Sequence, residues 1–130
     1  MTTIKGDMFT MIIGAPRAEI RIVKNPSIDS ATGAQGAIDL AAEGAKLPAR
    51  GVREILFDIR DAPAVAGPKS TEAVAGMLRS WEAARTRVAV VVSDDAIKKL
   101  QFNRLVTEHA PKHARIFASL DEAELWLGGG

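Results

Sequence analysis

Two stretches, Ile55-Leu56-Phe57-Asp58-Ile59 and Val88-Ala89-Val90-Val91-Val92, limit the folds open to this chain more than any other feature. Each is a near-continuous apolar run of strand length, dominated by branched and aromatic residues. Side chains of a strand alternate between its two faces, so a run that is apolar at both parities needs cover on both faces. A parallel sheet wrapped by helices provides that cover. The segments around the two runs read as the helices. Val74, Met77, Leu78 and Trp81 recur at helical spacing, as do Ile97, Phe102, Leu105 and Val106.

The remaining elements follow from local chemistry. Met8–Ile13 reads as a strand, Gly14-Ala15-Pro16-Arg17 as a turn, and Ala18–Ile22 as a strand with one wet face, which together make a hairpin. Asn25-Pro26-Ser27 stops the second strand, and Ser27 or Asp29 caps a helix that runs to about Ala45. Ile38, Ala41, Ala42 and Ala45 form its stripe, and the small residues of Thr32–Ala37 suit a close approach to the sheet. Ser70 or Thr71 reads as the cap of the next helix, and Ser93-Asp94-Asp95 as the cap of the one that stops before Pro111. Ala114–Ala118 is the last strand. Ser119-Leu120-Asp121-Glu122 is a capping-box sequence that opens a final helix carrying Leu120, Ala123, Trp126 and Leu127. The order is ββαβαβαβα. It predicts a single α/β domain over residues 1–130, with a mostly parallel central sheet of about five strands flanked by helices.

Composition removes whole classes of function. Seventeen Lys plus Arg against sixteen Asp plus Glu leave a formal charge of +1, without the basic stripe that nucleic-acid binding needs. Cysteine is absent, which excludes disulfides, thiol nucleophiles and thiolate metal sites together. His109 and His113 are separated by Pro111, which argues against a shared metal on one helix, and His109 reads as a helix C-terminal residue. No Gly-x-Ser-x-Gly elbow, dinucleotide fingerprint or phosphate loop occurs, so no cofactor is expected. No apolar run approaches the ~20 residues of a membrane span, and no secretory signal is visible, so the expected location is cytoplasmic. Trp81 and Trp126 both read as core anchors.

Sites on open α/β sheets form beyond the carboxyl ends of the strands. Asp58, Arg60 and Asp61 stand there after the first buried run, and Asp94 after the second. The segment from Arg60 to Thr71 exceeds the usual connection of about 2–6 residues. It joins charge at Arg60, Asp61 and Lys69 to apolar residues such as Val65, and ends in the hydroxyls of Ser70 and Thr71. These eight residues are the candidate binding set. Two functions fit them: a binding surface, or a small enzyme using the carboxylates and arginine of the rim. A phospho-receiver site is excluded, since no acidic pair follows the first strand and no lysine follows the last.

Phe117 in the last strand, followed by Glu122-Ala123-Glu124-Leu125-Trp126-Leu127, resembles the C-terminal pattern of the SpoIIAA-like group of STAS domains, and the two buried strands and the element order are similar too. The resemblance implies a non-enzymatic regulatory or interaction module with a protein partner or a small ligand, and it leaves a homo-oligomer open. The chain departs from the phosphorylated members of that family. Ala66-Gly67-Pro68-Lys69-Ser70-Thr71 stands where they carry an Asp-Ser-Ser-Gly-like sequence.

Overall fold

The computed structural model describes residues 2–6, 8–22, 30–62, 67–93 and 96–128. Its elements are β1 (Thr2–Lys5), β2 (Phe9–Gly14), β3 (Arg17–Ile22), α1 (Ser30–Gly44), a short 3-10 turn (Pro48–Arg50), β4 (Glu54–Asp58), α2 (Pro68–Ala83), β5 (Arg87–Val91), α3 (Ala96–His109), β6 (Ala114–Phe117) and α4 (Leu120–Gly128). They form one six-stranded sheet in sequential order, β1 through β6. The first two pairings are antiparallel and the other three parallel. The mostly parallel α/β sheet expected from the sequence is therefore present, with one strand more than expected.

The unexpected strand is β1. Its Thr2-Thr3-Ile4-Lys5 sequence is too polar to announce itself, and only Ile4 reaches the core. Pairing with β2 along its whole length, Thr2 opposite Ile13 and Lys5 opposite Thr10, is what orders it.

Sequential strand order fixes where the helices lie. Phe9, Met11, Ala18, Ile20, Ile55, Phe57, Val88 and Val90 share one core with Leu40 of α1, Val74 and Trp81 of α2, and Phe102 of α3. The three crossover helices thus lie on the same side of the sheet. The other parity of the two central strands, Leu56, Ala89 and Val91, packs with Ala123 and Leu127 of α4. The double-sided burial read from β4 and β5 is met by three helices on one face and one on the other.

Trp81 anchors the larger core. It is fully buried, stands edge-on to Phe57 with centroids 5.8 Å apart, and donates its indole N–H to the Gly44 carbonyl at 2.8 Å. That bond requires α1 and α2 to touch closely. A Cβ on Gly44 would lie 2.5 Å from Met77 Sδ and 3.3 Å from the Trp81 ring, so only glycine keeps the contact as it is. Close approach of α1 also occurs at Gly36, which faces Met8.

Trp126 differs from the expectation of a core anchor. It is half-buried and packs beside Phe117, with the Arg87 guanidinium 4.4 Å from its ring centroid and that of Arg115 5.7 Å away. Arg87 also donates to the Trp126 and Leu127 carbonyls. A cation thereby satisfies the free carbonyls at the end of α4 while lying over its aromatic ring. At the start of α4, Ser119 Oγ accepts the Glu122 N–H at 3.4 Å, so only the forward half of the expected capping box forms. Arg17 of β3 bonds both Glu54 and Glu124 and ties the middle of α4 to the sheet.

α2 ends without glycine. Thr86 N–H donates to the Trp81 carbonyl and Arg85 N–H to that of Glu82, the paired bonds of a Schellman ending, with Arg85 at φ 58°. A side chain in that left-handed region costs about 1–2 kcal/mol. Arg85→Gly is expected to raise stability by about 0.5–1 kcal/mol, after the extra freedom of glycine in the unfolded chain is deducted. A second expectation concerns α4. Trp126→Ala is expected to cost roughly 1–3 kcal/mol, less than the ~3–5 kcal/mol of a fully buried tryptophan, because the ring is only half-buried. Urea unfolding of both variants checks the two signs.

Candidate functional site

The rim at the carboxyl end of β4 is built by a turn. Asp58 is the last residue of the strand, and its Oδ1 accepts the backbone N–H of Arg60 at 3.1 Å, an Asx turn that bends the chain out of the sheet. Ala62 N–H then donates to the Ile59 carbonyl at 3.1 Å. The Arg60 side chain folds back on the same carboxylate, Nε to Oδ1 at 2.9 Å and Nη2 to Oδ2 at 2.8 Å. The pairing is bidentate, and planar guanidinium and carboxylate groups suit that geometry.

Asp58 is 8% exposed. Burial pushes its carboxyl up, but the Arg60 side-chain and backbone hydrogen bonds, with the charges of Arg60 and Arg21, outweigh that and hold it below the ordinary carboxylate value. Arg21 is the register neighbour of Asp58 on β3 and bonds Asp61 at 3.1 Å. Both members of that second pair are more than half exposed, so it contributes little stability.

Beneath the turn lies Lys98 of α3. It is 3% exposed, and its ammonium donates to the Arg60 carbonyl at 3.0 Å and the Ala62 carbonyl at 2.7 Å. These two carbonyls point inward from the turn, and the lysine gives them donors. Lys98 stands at i with Phe102 at i+4 and Leu105 at i+7, all buried on one side of α3. A lysine in an apolar register position was the signal, and attention to the apolar residues alone passes over it.

The structure brings together Asp58, Arg60 and Asp61, and adds Arg21 and Lys98, which the sequence did not single out. Val65 and Asp94 lie outside the described residues. Lys69, Ser70 and Thr71 occupy the first turn of α2, and among the described residues no hydrogen bond or ion pair joins them to the Asp58 group. Ser70 and Thr71 do not cap that helix, contrary to expectation. The helix begins two residues earlier, at Pro68, with Gly67 as its N-cap and no side-chain cap. Proline needs no N–H partner at a first position and holds the helical φ, so the start is set by Gly67-Pro68. Gly67, at φ 84° and ψ 158°, occupies a backbone region that is essentially restricted to glycine. Ser70 is buried within the turn, Thr71 Oγ1 donates to the Gly67 carbonyl at 2.9 Å, and Lys69 is exposed.

The histidines stand apart, as Pro111 suggested. His109 ends α3, where its Nδ1 lies 3.2 Å from Arg79 of α2, a side-chain contact in place of the expected helix carbonyls. His113 pairs with Glu82 of α2 at 2.6 Å. Burial pushes the Glu82 carboxyl up, but the His113 ring and the Lys112 and His113 N–H groups bring it below its usual value. Among the described residues no cluster of three or more His, Asp or Glu side chains is placed to hold a metal ion. Among the described residues no helix is long and apolar enough to cross a membrane.

The acid side of the stability profile tests the Asp58 clamp. A carboxyl whose folded value is depressed contributes stability above its unfolded value of about 3.9, and loses it as pH falls toward the folded value. In Asp58→Asn that contribution is expected to be gone, so its urea midpoint is expected to be lower at neutral pH and to fall less than the parent's between about pH 4 and pH 2. Parallel profiles would show that the carboxylate is not engaged.

No protein-family model, curated protein or solved structure matches this chain.

Proposed function

We propose that this chain is a non-enzymatic regulatory or interaction module of the STAS type, SpoIIAA-like, whose binding surface is the rim from Arg60 to the first turn of α2. The observation that carries the reading is the internal use of the rim charges. Both oxygens of Asp58 accept hydrogen bonds from Arg60, and the Lys98 ammonium is bonded to two carbonyls of the turn. A general base works best with a pKa near the working pH, and Arg60 holds the Asp58 carboxyl below the ordinary carboxylate range. The same bonds make a rigid base for a loop, and loops on rigid scaffolds are favoured places for recognition.

The C-terminal pattern supports the family reading. Phe117 packs against Trp126 with centroids 5.5 Å apart, and Ala123 and Leu127 are buried against the sheet. The Glu-Ala-x-x-Trp-Leu spacing therefore has a packing role for its alanine, tryptophan and final leucine.

Lys69 is the exposed cation of α2 on this rim, and Lys46, just beyond α1, is an exposed cation near the opposite end of the sheet. Capture from a lysate of the source cells, with mass spectrometry of proteins and small molecules, tests the surface. Lys69→Glu is expected to lose the bound partner or ligand, and Lys46→Glu to retain it. Equal recovery by both variants would move the binding surface elsewhere. Turnover of a small molecule by the parent, abolished in Arg60→Ala, would replace the module by an enzyme.

A further inference from the structure

Ser70 is out of place on its own helix. It lies in one line with Val74, Met77 and Trp81 on the buried side of α2, and is 6% exposed. Among the described residues no hydrogen bond reaches its hydroxyl. A buried hydroxyl without a partner is costly, and alanine would fill that place in the line without the cost. Thr86 Oγ1 is the one fully enclosed side-chain oxygen or nitrogen without a partner among the described residues. The Ser70 oxygen, equally unbonded, therefore still meets solvent. Side chains of a helix lean toward its N-terminus, and Ser70 is the third residue of α2, so its hydroxyl leans over the open end of the helix.

That end carries donors and no free acceptor. The helix is sixteen residues long and has no side-chain cap and no acidic residue in its first turn. The N–H groups of Lys69 and Ser70 have no partner among the described residues, and Pro68 has none to offer. The Gly67 carbonyl is already taken by the N–H and hydroxyl of Thr71. Glu72, the nearest acid of the helix, is drawn down the helix to Arg79. Gly67 leaves the cap position empty: a Cβ there would meet no atom within 4 Å. Lys69 stands exposed at the same end. The positive end of the helix dipole adds to this field.

We propose that the open end of α2 is a phosphate site. The Lys69 and Ser70 N–H groups donate along the helix axis, the Ser70 hydroxyl from the buried side and the Lys69 ammonium from solvent. Donors from several directions match a group with several terminal oxygens, and a donor-only set with a helix dipole favours a dianion. The phosphoryl group is that of free inorganic phosphate or of a phosphorylated small molecule. The inference rests on the reading of the rim as a binding surface and names the chemistry of what it binds.

Titration of the full chain with inorganic phosphate, followed by amide NMR at fixed ionic strength with chloride as the balancing anion, tests the site. Saturable downfield shifts are expected at the Lys69 and Ser70 amide protons. Ser70→Ala is expected to weaken binding about ten-fold, since it removes a hydrogen bond to a charged group, without lowering the melting temperature. Lys69→Met is expected to weaken it several-fold and Lys46→Met to leave it unchanged. Glycerol 3-phosphate distinguishes the sources: equal affinity assigns the site to phosphate itself, and tighter binding assigns it to a phosphorylated small molecule. Shifts spread over the exposed lysines with none at Ser70 overturn the proposal, as does a folded Ser70→Ala that binds like the parent. Lysate capture separates this inference from the reading beneath it. If Lys69→Glu loses its partner while phosphate moves neither amide, the phosphate site falls alone. If phosphate binds here while Lys69→Glu and Lys46→Glu capture alike, the rim reading falls and the phosphate site stands.

Discussion

Burial of β4 and β5 on both faces is the constraint on which the rest of this structure depends. Ile55, Phe57, Val88 and Val90 take one side, and Leu56, Ala89 and Val91 the other. Because the strands follow one another in sequential order, the three crossovers leave all their helices on one side. The second side is then open until the chain leaves β6 and turns back as α4. The last helix completes the core. Its attachments match that role: Arg17 and Arg87 reach from β3 and β5 to a carboxylate and two carbonyls of α4, beyond the apolar contacts of Ala123 and Leu127.

The sequence made legible the elements whose signal is apolar periodicity. β4, β5, α2, α3 and α4 lie where the patterns of Ile55–Ile59, Val88–Val92, Val74–Trp81, Ile97–Val106 and Ala123–Leu127 place them, but Ile97 of the α3 pattern is 73% exposed and Lys98 takes the buried position beside it. β1 was hidden, because an edge strand with one inward residue carries no such pattern. The start of α2 was misread because two signals competed there. Ser70 and Thr71 have capping side chains, but Gly67-Pro68 has the backbone that begins a helix, and the backbone preference decides where the hydroxyls fall. At Trp126 the spacing was right and the surroundings were not readable: the partners Arg87 and Arg115 are distant in sequence, and stacking on arginine satisfies a ring that is only half-buried.

The candidate site was legible in composition and illegible in connection. Asp58, Arg60 and Asp61 are adjacent in sequence, and their place beyond a strand end followed from the fold class. What joins them to the body is Lys98, thirty-eight residues from Arg60, whose bonds are to backbone carbonyls. Sequence pattern carries no record of carbonyl directions, so the lysine showed only as an odd residue on an apolar stripe. A buried cation is costly unless its donors are used, and the inward-facing carbonyls of the 59–62 turn use them. Turn and lysine thus stabilise one another: without the turn Lys98 loses two acceptors, and without Lys98 the carbonyls lose their donor.

This mutual arrangement also explains why charge on the molecule falls into two kinds. Charges placed at strand ends and helix junctions, such as Asp58 with Arg60 and Glu82 with His113, close internal connections and are drawn away from solvent. Among the described residues, Lys99 and Arg104 of α3 and Asp121 and Glu122 of α4 take part in no ion pair. On those two helices the buried stripe is occupied by Lys98, Phe102 and Leu105 and by Ala123 and Leu127, so Leu100 and Leu125 have no place in either core. An exposed leucine gains nothing from folding, since water meets it in both states. Its free energy is recovered only where another surface covers it. The winding of the sheet sets those two leucines on opposite faces of one molecule, so whatever covers one of them leaves the other open to a further contact.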